Sequence, residues 1–105
     1  MSEFHNVTVV KKANIYFDGK ASSRTILFAD GSKKTLGIML PGEYEFNNQT
    51  RELMEILAGD IEVLLPKNTA WQKMTCGQSF EIPAQSTFKL KVNSTMDYCC
   101  SYFAE

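Results

Sequence analysis

Gly37-Ile38-Met39-Leu40-Pro41-Gly42-Glu43-Tyr44-Glu45-Phe46, followed by Glu52 and Gly59, is the stretch whose reading decides the fold of this chain. Pro41-Gly42 is tight-turn chemistry, because proline presets one backbone torsion and glycine tolerates the unusual ones beside it. Before the turn, residues 35–40 read as a strand. After it, Glu43 to Phe46 alternate acidic and aromatic side chains, a period of two that gives an extended strand one polar and one aromatic face. Residues 53–58 and 61–65 are apolar runs parted by Gly59-Asp60, which reads as a hairpin turn, and Pro66-Lys67-Asn68 closes the second run.

The same punctuation continues outward. Val7, Val9, Ile15 and Phe17 lie in β-branched or alternating stretches before the turn pair Asp18-Gly19. Residues 25–28 lead into Ala29-Asp30-Gly31-Ser32, whose Asp-Gly pair predicts a hairpin. Short strands are predicted at 71–75, 79–82, 88–92 and 98–103, divided by Gly77, Pro83 and Asn93-Ser94. No helix, linker, low-complexity tract or internal repeat interrupts this spacing. It predicts a single all-β domain over residues 1–105, a sandwich or jelly-roll barrel.

Composition bounds the function. A chain of 105 residues, 44% hydrophobic, buries roughly 65% of the surface its unfolded form exposes and is not a disordered segment. A net charge of -1 with one His leaves no basic face for a nucleic-acid polymer. No apolar run approaches the roughly 20 residues of a membrane span. The first 20 residues lack the basic start and apolar stretch of a signal peptide, so a cytoplasmic protein is expected. Cys76, Cys99 and Cys100 are an odd number with two neighbours, which favours reduced and mostly buried thiols. Together with His5 they are too scattered for a zinc site.

The spacing from Gly37 to Gly59 resembles the first cupin motif, G-x5-H-x-H-x3,4-E-x6-G. Glu43 and Glu45 stand at its two His positions, and the gap before Glu52 is longer. Gly77, Pro83, Gln85 and Phe88 echo the second motif, G-x5-P-x-G-x2-H, with Phe88 at the His position. The resemblance implies a cupin-type jelly-roll barrel whose usual metal ligands are absent, working without metal or cofactor. The matching positions in cupins face the barrel cavity, so Glu43, Glu45 and above all Glu52 become candidate inward carboxylates. On strand alternation alone, Glu43 and Glu45 read as a solvated face. Carboxylates crowded in a cavity raise one another's pKa, which suits general-acid work.

A more specific resemblance covers about residues 4–103. Ala13-Asn14-Ile15-Tyr16-Phe17-Asp18-Gly19-Lys20, the stretch 37–46, Glu52-Leu53-Met54, Gly59 and Val63-Leu64-Leu65-Pro66 look like the pyrimidine/purine nucleoside phosphorylase family. Trp71, Gly77 with Phe80 and Pro83, Ser86 with Phe88, and residues 98–102 continue the match. The resemblance implies a homodimer that splits purine and pyrimidine nucleosides with inorganic phosphate into free base and pentose 1-phosphate.

Such a reaction makes three demands on the side chains. The sugar passes through an oxocarbenium-like state, so a carboxylate that stabilises the cation or holds the ribose hydroxyls is needed, and Glu52 and Glu43 are the catalytic candidates. Phosphate needs cationic or N–H donors. Arg24, with its planar fork, leads a group that includes Ser23, Lys33, Lys34, Ser86 and Lys89. Lys33 and Lys34 also fit a solvated hairpin edge protected by charge. The base needs a stacking surface, for which Tyr44, Phe46, Trp71 and Phe88 are candidates, with Gln85 as a polar handle. Most of these aromatics equally suit a core, and a π-face alone accepts many bases. His5, in a terminal segment, is a poor general acid. Two other classes compete: a non-catalytic cupin binding a small sugar or nucleotide, and a metal-dependent cupin holding magnesium or manganese through its three Glu. The apolar segment 7–17 is a candidate for exchange between subunits.

Overall fold

A computed structural model describes residues 3–103. Nine strands follow one another: β1 Thr8–Val9, β2 Asn14–Tyr16, β3 Ala21–Leu27, β4 Lys33–Met39, β5 Gly42–Asn48, β6 Glu52–Leu64, β7 Gln72–Thr75, β8 Ser79–Ile82 and β9 Ser86–Tyr102. The only helical element among the described residues is a three-residue 3-10 turn at Phe17–Gly19. The expected all-β chain is therefore present. No helix among the described residues is long and apolar enough to cross a membrane.

The two long strands β6 and β9 run antiparallel along most of their length. β4 pairs with the second half of β9, from Lys33↔Tyr102 to Met39↔Met96, and β5 with the first half, from Gly42↔Val92 to Asn48↔Ser86. On the far side of β6 lie β8 and β7, while β3 extends the β4 side and carries β1 and β2. The Asp30-Gly31 hairpin joins β3 to β4 as its composition predicts, with Phe28 N–H donating to Ser32 O at 3.0 Å. The sheet path ends at β1 and β7 without closing, so the jelly roll is an open sheet wrapped around its core.

Three expected turns do not reverse the chain. Pro41-Gly42 marks only a bend, because β4 and β5 run in the same direction along successive parts of β9. β6 passes straight through Gly59-Asp60, and β9 through Asn93-Ser94. Both apolar runs of β6 pair with β9, and the register slips between Ile56 and Ile61 instead of reversing. Gly59 sits at φ +109, and a side chain there would fall 2.7 Å from Thr95 O and 2.9 Å from Met96 Cα. Glycine thus serves a bulge that bends a continuous strand against its neighbour. Ser94 Oγ accepts the Asp60 N–H at 3.0 Å where the ladder is interrupted.

The bend allows the inner faces of both halves to share one core. Ile56, Ile61, Val63, Leu90 and Met96 are essentially inaccessible there, each contributing about 1.5–3 kcal/mol by burial. Cys99 and Cys100 are buried, and Cys76 is exposed.

Candidate active site

Strand alternation decides which side chains line the interior. On β5 the inward row is Tyr44, Phe46 and Asn48, with Glu43 and Glu45 on the solvent side. On β9 it is Met96, Tyr98, Cys100 and Tyr102; on β6 it begins Glu52, Met54, Ile56. Near one end of the core these rows leave a cavity of about 230 Å³. Its apolar wall is Met39, Phe46, Met54 and Phe88; its polar groups come from Ser23, Asn48, Glu52, Cys100 and the phenols of Tyr98 and Tyr102, with Tyr16 beside them.

Gly37 makes room for one of these groups. It pairs with Tyr98 across the ladder, and a Cβ on Gly37 would fall 2.6 Å from the Tyr98 ring and hydroxyl. The missing side chain is the space that the tyrosine occupies. Ser23 lines the cavity with Tyr98 and accepts from Asn14 Nδ2 at 3.2 Å. Tyr102 and Thr35 hydroxyls lie 3.3 Å apart, and Cys100 Sγ donates to Glu52 Oε1 at 3.4 Å.

Burial governs the protonation of this cluster. Desolvation raises the Glu52 carboxyl above its ordinary value, opposed by the Cys100 hydrogen bond and the Lys33 charge. Desolvation likewise pushes Tyr98 up to about 12, and raises Cys100 and Tyr102 further. At neutral pH the two phenols and the thiol keep their protons. The cavity therefore presents hydroxyl donors, one carboxyl with enhanced proton affinity, and a tilted stack of Phe46 on Phe88 with centroids 5.4 Å apart.

Of the side chains singled out from sequence, Glu52, Phe46 and Phe88 meet in this cavity, and Ser23 joins them. Tyr44 packs in the core and donates its hydroxyl to Leu40 O at 2.6 Å. Ser86 donates to Pro83 O at 2.6 Å and contacts Asn48 Oδ1 at 3.3 Å, bracing the entry to β9. Gln85 occupies a left-handed turn position at φ 52, with its N–H on Gln49 O. Arg24 points away from Ser23 to the outer face and donates to the Lys11 carbonyl. Glu43 and Glu45 border a shallow outer depression with Trp71 and Lys89, where Glu45 lies 3.9 Å from Lys89. The three glutamates thus do not converge as metal ligands would have to. Tyr98, Cys100, Tyr102 and Asn48 are cavity residues that the chemistry read from sequence did not single out; the period of two in 96–102 was the available signal.

Comparison with known proteins addresses the family and the fold. The family model described as pyrimidine/purine nucleoside phosphorylase matches residues 11–102. A pyrimidine/purine nucleoside phosphorylase of Hydrogenovibrio crunogenus is 64% identical over 102 residues, covering 97% of this chain and 98% of that one. Among solved structures, a protein of unknown function from Acinetobacter sp. ADP1 superposes with TM-score 0.93 at 40% identity, over 96% of this chain and 98% of its own. An RmlC-like cupin from Shewanella frigidimarina, 13% identical, superposes with TM-score 0.70 over 96% of this chain and 86% of its own, which establishes the cupin fold alone. From residue 11 to residue 102 the motif pattern, the wrapped sheet and the relatives coincide, and this chain belongs to the pyrimidine/purine nucleoside phosphorylase family.

Proposed function

We propose that this protein is a pentosyltransferase that cleaves purine and pyrimidine nucleosides with inorganic phosphate, using Glu52 as its general acid. The observation that carries the reading is a half-buried carboxyl of raised proton affinity, Glu52, in a cavity walled by aromatic rings and phenol donors. An acid tuned toward working pH is what departure of a poor leaving group demands. Phosphate oxygen bonds to C1′ as the C1′–N bond breaks, and the Glu52 proton passes to the departing base nitrogen. The pentose 1-phosphate formed from monohydrogenphosphate still carries one proton, and its transfer to Glu52 restores the acid. Tyr98 and Tyr102 hold sugar hydroxyls, and the Phe46 and Phe88 rings bound the base. Tyr44, Gln85 and Ser86 do not line the cavity, and each is committed to backbone or turn contacts. Neither Glu43 nor Arg24 takes part in the chemistry of this reading.

Breadth toward bases follows from size. Small-molecule pockets usually span about 300–1,000 Å³, so a cavity of about 230 Å³ encloses the pentose and leaves much of the base edge unread. The reaction runs without a metal, because Glu43 and Glu45 face away from Glu52. Free thiols at Cys76, Cys99 and Cys100 accord with the reducing cytoplasm.

The protein acts as a homodimer joined through the outer face, where Ile15, Ile38 and Leu57 are 67%, 41% and 46% exposed. Leu36, Leu57 and Cys99 line a groove there among the charges of Lys34, Glu3, Glu55 and Asp97. A two-fold pairing sets Lys34 of each copy against carboxylates of the other, as self-complementary interfaces require.

Chromatography of uridine or adenosine incubated with the protein tests the reading. Free base is expected only when phosphate is present, undiminished by chelator. Glu52→Gln is expected to lower the rate on the order of 100-fold or more. Base released equally without phosphate, or at an undiminished rate by the variant, overturns it.

A further inference from the structure

The cavity has an acid, donors and aromatic walls but no cation among its lining residues. Phosphorolysis brings an anion to it, so the positive charge must come from a neighbouring side chain. Strand parity narrows the choice. Arg24 on β3 points outward. Lys34 lines the outer groove. Lys89 and Lys91 alternate with the buried Phe88, Leu90 and Val92 and face outward too. Lys73 faces outward because its neighbour Met74 packs on the core.

Lys33 differs from all of these. It precedes Thr35, Gly37 and Met39 on the inward row of β4. Its ladder partner is Tyr102, and its ammonium stands 4.7 Å from the Tyr102 ring centroid. Tyr102 is shared by the cavity and by an adjoining depression that Ser32, Lys33 and Thr50 line. Asp30, the acid nearest in that depression, is occupied by Ser32, accepting its N–H at 2.9 Å and its hydroxyl at 2.6 Å. Lys33 makes no ion pair among the described residues.

From this placement we infer that Lys33 binds the inorganic phosphate, at the Tyr102 end of the cavity, with the Tyr102 hydroxyl within the same recess. The inference rests on the phosphorolytic reading above and identifies its anion site. A lysine suits the task, being a compact charge on a flexible stem that can swing from the ring face to an arriving anion. Its field already reaches the cavity, since it opposes the upward shift of Glu52. A protonated Glu52 adds no repulsion, and phosphate bound beside it favours that protonated form further. The arrangement therefore couples the anion site to the acid.

Two measurements test the assignment, with Lys33→Ala, Lys33→Arg and the outward-facing Lys73→Ala compared with the parent protein. The first varies phosphate and uridine independently in steady-state base release. Lys33→Ala is expected to raise the phosphate KM on the order of 10- to 100-fold, with the uridine KM within about twofold; Lys33→Arg recovers most of the loss and Lys73→Ala changes neither. The second reads the thermal midpoint in inorganic phosphate against chloride of equal ionic strength, where phosphate stabilises the parent and Lys33→Arg but not Lys33→Ala. The midpoint in chloride alone reports whether each variant is folded.

Base release by Lys33→Ala with an unchanged phosphate KM overturns the Lys33 assignment and leaves phosphorolysis standing. Phosphate stabilisation that requires Lys33, in a protein that releases no base, keeps the anion site and removes the phosphorolytic reading. Absence of both turnover and phosphate stabilisation in the parent overturns both.

Discussion

Glu52 owes its character to where a single side chain is put. Its carboxyl loses water to the cavity wall, so the folded protein holds that proton more tightly than the unfolded chain does. Stability therefore falls as pH rises through the window above the ordinary glutamate value, because the unfolded state gives up the proton first. Glu52→Gln removes this linkage. The melting temperature of the variant relative to the parent is expected to climb as pH rises above the ordinary glutamate value of about 4, as thermal unfolding would register; a difference independent of pH rejects the burial argument. Glu52 was legible in sequence because its spacing to Gly59 marks it. Tyr98 and Tyr102 were not, since a run such as 96–102 announces a strand without saying which of its two faces turns inward.

At the level of the strand, β5 demonstrates how that choice is made. Its alternation was plain in the sequence, and the cupin spacing argued for glutamates inside. The fold buries Tyr44, turns the partly buried Phe46 inward and leaves Glu43 and Glu45 to solvent. Burying an aromatic side chain stabilises by about 1.5–3 kcal/mol, whereas an unpaired buried carboxylate costs several kcal/mol. The spacing marks homologous positions, and desolvation decides their direction. β6 shows the complementary case, in which Gly59-Asp60 has turn chemistry but both flanking runs find their partner in β9. Gly59→Ala is expected to destabilise by about 2 kcal/mol or more, measured by urea unfolding, through a strained φ and contact with the β9 backbone. A change within about 0.5 kcal/mol, the range of an indifferent surface site, would mean that the bend does not depend on glycine.

For the whole molecule, the outer face is where the proposed second copy docks. Ile38→Glu places a charge among Leu36, Leu57 and the paired charges, and light scattering at micromolar concentration is expected to change from dimer to monomer. A parent protein that is monomeric, or a variant that stays dimeric, removes that face from consideration. The same wrapping that exposes this surface also creates the cavity. Cys100 reaches Glu52 across 48 residues of chain, and Tyr102 reaches Thr35 across 67.

Local chemistry was sufficient for what depends on neighbours in the chain: an all-β chain, the Asp18-Gly19 and Asp30-Gly31 turns, the acidic-aromatic alternation of β5, and the ordered motifs of the family. Those features follow from backbone preferences and side-chain period, which operate over a few residues. Only the tertiary structure decided that Glu52 meets two phenols, that Arg24 faces outward, and that Lys33 stands on the inward row. A shift of one residue in pairing moves every side chain of a strand to its other face. Register and bend therefore select the site, and both are set by the burial of distant strands against one another.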